Sequence, residues 1–352
     1  MAQQHCSPPK TNVPVVIDNG SSTIKAGYAG DRSPRLIVPT VVGRSGDKVF
    51  VGEEVKGKEG LTLEYPIVRG AIKNWDAMTE IWRYVLKELK ADTAVNPILL
   101  TETVCVAKAD REKMTQIMFE TFNASSVYLA NQPILSLYAC GLYDGLILSS
   151  GYGVTQIAPS KGGNLIPSAN QRSDFAGYDI TLKLRELLQG EGISVSEDVA
   201  REIKESSCYV ASDKNAPPET KPYKLPDGKE ITLGAPRKEA TEFFLSPALL
   251  ESMRDTVTKC VSENGVEPET LYSAVVLSGG NVLFHGMAER IQKELQAING
   301  GIPVKVQVAP GGTASTFVGG SILTCLEAFK TLWITKEDYK NGGPAIVHTK
   351  CV

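Results

Sequence analysis

Two short stretches carry residue types that could handle phosphate. One is "VVIDNGSSTIK", residues 15–25, and the other is "LILSSGYGVTQIAP", residues 146–159. Each reads as a strand, a glycine turn and a second strand. Backbone N–H groups at tight glycine turns can point into one concavity and bind phosphate oxygens. Asp18 stands just before the first turn and could hold Mg²⁺ through its waters, because magnesium keeps several waters and uses one or two carboxylates plus the phosphates. Lys25 could reach a phosphate. The second copy has Ser149 at the place of Asp18. A third glycine turn, Gly279 and Gly280 in "YSAVVLSGGN", follows another short strand. Taken singly these features are bland: Asn-Gly is a favoured hairpin turn, and a strand lysine can simply be exposed. Two matching turns opening two halves of one chain favour a clamp on a polyphosphate.

The elements around them alternate short β-rich runs with helical segments, which predicts α/β architecture. "VPVVIDNG", "TIKAGYAG" and "RLIVPTVVG" read as a strand meander. "NWDAMTEIWRYVLKELKAD" predicts an amphipathic helix, with Met78, Ile81, Trp82, Val85, Leu86 and Leu89 at three- and four-residue spacing and Asn74 as N-cap. "PILLTE" predicts a buried strand and "DREKMTQIMFETFN" a helix. At "GLILSSGYGVTQIAP" the pattern starts again: a meander, the helices "DITLKLRELLQ" and "SEDVAREIKESSCYV", and the strand entering "LSGGN". The helix "MAERIQKELQAI" follows. After the loop "VAPGGTASTF" comes a closing helix, "VGGSILTCLEAFKTLW". "SDKNAPPETKPYKLPDGKE" predicts a loop with a hairpin at "PDG". The chain thus reads as a duplicated sheet-plus-helix unit, with a ligand expected between the halves.

Composition narrows the function classes. The chain has 352 residues, enough for two cores, with 42% hydrophobic and 22% charged residues and a net charge of −3. No basic footprint points to nucleic acid, no polybasic patch or long apolar run points to a membrane, and the first residues lack a signal-peptide core. Seven scattered cysteines without a CxxC suggest neither a disulfide framework nor zinc, and hence a reduced compartment. His5, His285 and His348 are too dispersed to read as a metal cluster.

Beyond these readings, the sequence resembles the actin family from about Val13 to Val352. The resemblance is carried by "VVIDNGSSTIKAGYAGD", "LTLEYPI", "NWDAMTEIW", "LLTE", "REKMTQIMFETFN", "LSLYACG", "LPDGKEIT", "VVLSGGN", "VGGSILTCLEAF" and "GGPAIVHTKC". The long helical matches separate it from sugar kinases and chaperones of the same superfold. It implies a duplicated two-domain actin fold with ATP or ADP and Mg²⁺ (or Ca²⁺) in a central cleft. The implied division is a disordered tail at 1–12 and a first large subdomain from 13–39, 66–139 and 315–352. A small subdomain follows at 40–65, then a second large one from 140–175 and 261–314, and a second small one at 176–260. Residue by residue, Asp18, Gly20, Ser21 and Lys25 match the first phosphate loop, with Ser22 in place of a glycine. Gln132 matches the glutamine that orients the attacking water. Gly151, Gly153 and Val154 match the second loop; Arg201, Lys204 and Glu205 match residues around the nucleoside; Gly279 and Gly280 match the pair beside base and ribose.

The departures bear on chemistry. Ser149 and Tyr152 stand where actins have aspartates, and Gln156 where they have the histidine supporting the water. Thr313 falls at the adenine lysine and Arg69 at the histidine that many actins methylate. Acid–base help is typically worth about 10²–10⁴-fold, so nucleotide binding is expected to survive, weakened, with hydrolysis nearly lost.

Other departures bear on assembly. Between "VVGR" and "VGEEV" only "SGDKVF" remains of the mobile filament-docking loop. After "FFLSPALL" the hydrophobic plug is missing, and no acidic N-terminal cluster is present. A partner groove is expected at Tyr138, Gly141, Ile322, Leu323, Leu326 and Phe329, for actin or actin-binding proteins. The leading expectation is a divergent actin-like, nucleotide-binding structural protein of the cytoplasm or cytoskeleton, or of the nucleus, with impaired filament formation. A filament-forming ATPase and a subunit of a larger complex are the alternatives. A small-molecule kinase is disfavoured, since no base for a substrate hydroxyl stands out.

Overall fold

The computed structural model describes residues 12–351, so the expected tail lies outside the described residues apart from Asn12. The chain separates into two compact units, Met1–Cys140 with Ala314–Val352, and Gly141–Thr313.

The first unit is built on a six-stranded sheet. In spatial order its strands are Ile334–Thr335, Ser126–Asn131, Ile98–Glu102, Val15–Asp18, Thr23–Tyr28 and Leu36–Pro39. Val15–Asp18 pairs antiparallel with Thr23–Tyr28 and parallel with Ile98–Glu102. Val15–Asp18 and its parallel neighbour Ile98–Glu102 are buried along their whole length, as parallel strands covered on both faces are. The helix Trp75–Glu88 forms as its periodicity predicts. Asn74 caps it by accepting the Ala77 amide at 3.0 Å, and all six of its periodic apolar residues are buried.

The second unit repeats the plan. Its order is Asn164–Leu165, Thr155–Lys161, Gly145–Ser150, Val275–Ser278 and Val306–Val308, with Gln171–Ser173 also on Thr155–Lys161. Gly145–Ser150 again pairs antiparallel with the strand after its turn and parallel with a later strand. Leu146, Leu148, Val275 and Leu277 turn one face of this sheet into a core with Leu184, Leu188, Met253 and Ile291. The duplication read from the sequence is therefore a duplication of strand order and direction.

Several local departures have physical causes. The closing helix is not continuous: Ser315–Leu323 is helical and a separate short turn, Glu327–Thr331, follows. The break drops Phe329 onto Tyr128, with ring centroids 4.8 Å apart, and onto Trp333 at 5.2 Å. Phe329 is 2% exposed. Its place in the expected partner groove is thus a correction: packing against the sheet takes it out of reach. Ile322 and Leu326 are exposed, as is Gly141, while Leu323 and Tyr138 are half-buried. The helix Lys108–Gln116 widens into a π-turn, Ile117–Thr121, where one helix was expected.

The connections expected to be shortened take simple forms. Val42–Ser45 and Lys48–Val51 pair through Ser45↔Lys48, leaving Gly46–Asp47 as a two-residue turn. The helices Pro236–Phe244 and Pro247–Asn264 are joined by Leu245 and Ser246 alone. The "PDG" hairpin forms between Lys221–Lys224 and Glu230–Leu233.

Candidate phosphate-binding hairpins

In the first unit, Asp18 pairs in register with Lys25, and the next residue of the parallel neighbour is Thr101. Direct cross-strand partners point to the same face, so Lys25, Asp18 and Thr101 form one row. Asp18 is nearly buried and accepts two hydrogen bonds at Oδ1, from Thr101 Oγ1 at 2.8 Å and from Gln132 Nε2 at 3.2 Å. Gln132 Nε2 also donates to the Asn19 carbonyl at 3.0 Å.

Asn19 holds the turn. Its amide donates to Thr101 Oγ1, its Nδ2 donates to the Thr101 carbonyl, and its Oδ1 accepts from Trp82 Nε1 at 3.1 Å. Ser21 Oγ accepts the Gly70 amide at 3.0 Å. That amide lies in the tight turn beside Arg69, which joins Ile67–Val68 to Ala71–Ile72. The amides of Gly20, Ser21 and Ser22 find no acceptor among the described residues. Ser22 does not have a positive φ, so its Cβ fits where a glycine was expected. Lys25 Nζ donates to Thr23 Oγ1.

In the second unit the equivalent row is Gln156, Ser149 and Ser278. Gln156 stands where Lys25 stands in the first hairpin, and Ser149 where Asp18 stands. The row carries no charge. The turn is braced by a directional chain. Thr155 Oγ1 gives its one proton to the Phe175 carbonyl at 2.8 Å, so Ser150 Oγ donates to Thr155, and Asn281 Nδ2 donates to Ser150 Oγ at 2.9 Å. Asn281 Nδ2 also reaches the Gly151 carbonyl at 2.7 Å. The amides of Gly177 and Tyr178 donate to the Gly151 and Tyr152 carbonyls, seating the start of the helix Gly177–Gly190 on the turn. The amides of Gly153 and Val154 find no acceptor among the described residues.

Gly279 adopts φ 89°, and a methyl group there would run into the carbonyl of Ser150. Gly279→Ala is expected to destabilise the protein by several kcal/mol, on the order of 3, from backbone strain and overpacking together. Urea midpoints measure this, and a loss below about 0.5 kcal/mol, the range of ordinary surface changes, would show that the turn relaxes freely. Thr313 borders Gly280, its Cγ2 lying 3.8 Å from where a Gly280 Cβ would be.

Of the residues expected around the nucleoside, Lys204 is 3% exposed and donates to the Gly177 carbonyl and to Thr181 Oγ1, both at 2.9 Å. Its ammonium lies 6.0 Å from the Tyr152 ring centroid, and Tyr152 packs on Tyr178. Arg201 pairs with Asp198 at the surface, and Glu205 is exposed. Burial lowers the Lys204 pKa from 10.5 to about 8, with Glu205 opposing that shift. The folded state therefore binds fewer protons than the unfolded state between about 8 and 10.5, so stability rises with pH across that window. The slope reaches at most about 1.4 kcal/mol per pH unit. Lys204→Met is expected to lack this rise in urea titrations at stepped pH; parallel profiles for the two proteins would refute it.

Three anchoring residues were not singled out from sequence: Asn19, Thr101 and Asn281. The first and last read as ordinary turn formers, and Thr101 as one position of a buried strand. Among the described residues no group of three or more His, Cys, Asp or Glu could hold a metal ion. The single carboxylate of Asp18, with waters and phosphates, still fits the way magnesium is usually held.

The two hairpins follow one design, and each has turn amides with no acceptor among the described residues. A family profile described as Actin matches residues 10–198 and 193–352. With the duplicated α/β units, that match shows that the chain belongs to the actin family and has its two-domain fold.

Proposed function

We propose that this chain is a divergent actin-like structural protein that binds ATP or ADP through its two hairpins, hydrolyses it poorly and assembles into filaments poorly. The observation that carries the reading is the contrast between the two rows. The first keeps Asp18 under Gln132, whereas the second keeps its amides and offers only neutral side chains. Gly20, Ser21, Ser22 and Lys25 of the first hairpin, and Gly151, Gly153 and Val154 of the second, would hold phosphates. Gly279 and Gly280, with Arg201 and Glu205, would meet the nucleoside, while Lys204, buried against Gly177 and Thr181, would brace the turn behind them. Asp18 would hold Mg²⁺ through waters, where the ion supplies charge neutralisation for the phosphates. The exposed Ile322 and Leu326 would offer a partner protein an apolar contact. A cytoplasmic or nuclear assembly of actin-family or actin-binding proteins suits this reading.

The nucleotide content of the purified protein tests it, read by mass after denaturation. Retained ATP is the expected result, since a ligand bound only by the folded state stabilises it. An empty protein would overturn the nucleotide reading, and ADP would favour an active filament-forming ATPase, for which Gln132 and Asp18 are in place.

A further inference from the structure

We infer that the second hairpin holds a phosphoryl oxygen directly on the hydroxyls of Ser149 and Ser278, so that nucleotide affinity in this protein depends little on a divalent cation. The inference rests on the nucleotide reading above and adds what the neutral row does.

Ser149 and Ser278 are register partners on neighbouring parallel strands, which run about 4.8 Å apart. Leu148 and Leu277 face the core of the second unit. Alternation along each strand therefore turns both serines to the opposite face, side by side. Ser278 is 1% exposed, and its Oγ has no hydrogen-bond partner among the described residues. Ser149 is also nearly buried, and its hydroxyl bonds to no described residue. A buried hydroxyl without a partner is uncommon in a folded protein and calls for a ligand, an ion or a water. Here two of them share a face at the end of their strands. The Ser149 strand leads directly into the turn that bears the unsatisfied Gly153 and Val154 amides.

All four groups are donors that suit an oxyanion. No carboxylate shares the row, so a phosphoryl group meets no like charge there that a cation must cancel. In the first unit Asp18 occupies the equivalent place, but its Oδ1 already accepts from Thr101 and Gln132, which offset part of its charge, whereas no described protein donor is bonded to the side chain at 149. Putting a carboxylate at 149 should therefore create a need for the metal.

The test is ATP affinity of the full chain, measured by equilibrium titration in Mg²⁺ and again in EDTA, with Tm recorded for each variant. For the native sequence, chelation is expected to weaken binding by less than about tenfold. Ser149→Asp is expected to lose affinity in EDTA on the order of a hundredfold or more and to regain it in Mg²⁺, from the repulsion of two charges at contact. Ser278→Ala is expected to weaken ATP about tenfold with or without the metal, the usual effect of deleting a hydrogen bond to a charged group. Native binding that needs Mg²⁺ overturns the inference while leaving the nucleotide reading intact. An unchanged affinity in Ser278→Ala also overturns it and assigns that hydroxyl to a buried water. Folded protein that binds no ATP in either condition overturns both readings.

Discussion

In Mg²⁺, salt and ATP, at micromolar protein, this chain is expected to remain in the supernatant of a high-speed spin that pellets conventional actin. The expectation comes from two shortened connections. Gly46–Asp47 is the tightest hairpin loop in common use, and Ser45 and Lys48 are already paired, so no free segment is left there to reach another subunit. Only Leu245 and Ser246 separate the helices Pro236–Phe244 and Pro247–Asn264, so no plug can project from that joint. Both cuts fall in surface connections, where shortening changes loop-closure entropy little and leaves the fold intact. Their effect on association is different in kind. A few well-packed contacts dominate an interface, each worth about 2 kcal/mol or more. Losing two would weaken each longitudinal or lateral addition on the order of a thousandfold. Sedimentation with light scattering measures it. Robust filaments at micromolar concentration would show that other surfaces have taken over the docking.

The two hairpins were legible because glycine turns and β-rich runs are local signals, and because the same signal occurs twice. The exchange of Asp18 for Ser149 was visible for the same reason. What the sequence could not show was register. That Gln156 occupies the place of Lys25, and that Ser278 lies beside Ser149, follows from strand pairings more than a hundred residues apart in one case. The braces were hidden in another way. Asn19 and Asn281 sit beside glycines, where asparagine is already favoured for the turn itself. Their bonds to Thr101 and Ser150 are long-range. Phe329 misled because it belongs to an apolar run with helical spacing, whereas edge-to-face packing on Tyr128 and Trp333 outweighed helix propensity. The tight turn at Gly46–Asp47 follows from residue counts, since a hairpin with two spare residues has few alternatives.

Bound ATP is expected to turn over at least about a hundredfold more slowly than in conventional actin, which is the low end of what positioned acid–base help supplies. A water attacking the γ-phosphorus needs alignment and a group to take its proton. On the first hairpin, Gln132 can align a water, but its amide nitrogen is committed to Asp18, to the Asn19 carbonyl and to Thr101. Glutamine does not accept a proton near neutral pH, and Asp18 is occupied at Oδ1 by two donors. On the second hairpin Ser149, Gln156 and Ser278 have no titratable group at all. Donors can hold a phosphate in its ground state, but an arrangement that binds substrate and transition state equally well does not speed the chemical step. Single-turnover phosphate release from preloaded ATP measures the rate, with Gln132→Ala as the control. The expected result is a slow native rate that Gln132→Ala changes only a few-fold, as when no proton acceptor is there for the aligned water to use. A native rate matching conventional actin and collapsing in Gln132→Ala would mean that the glutamine and Asp18 suffice, and that the neutral second row is no obstacle to hydrolysis.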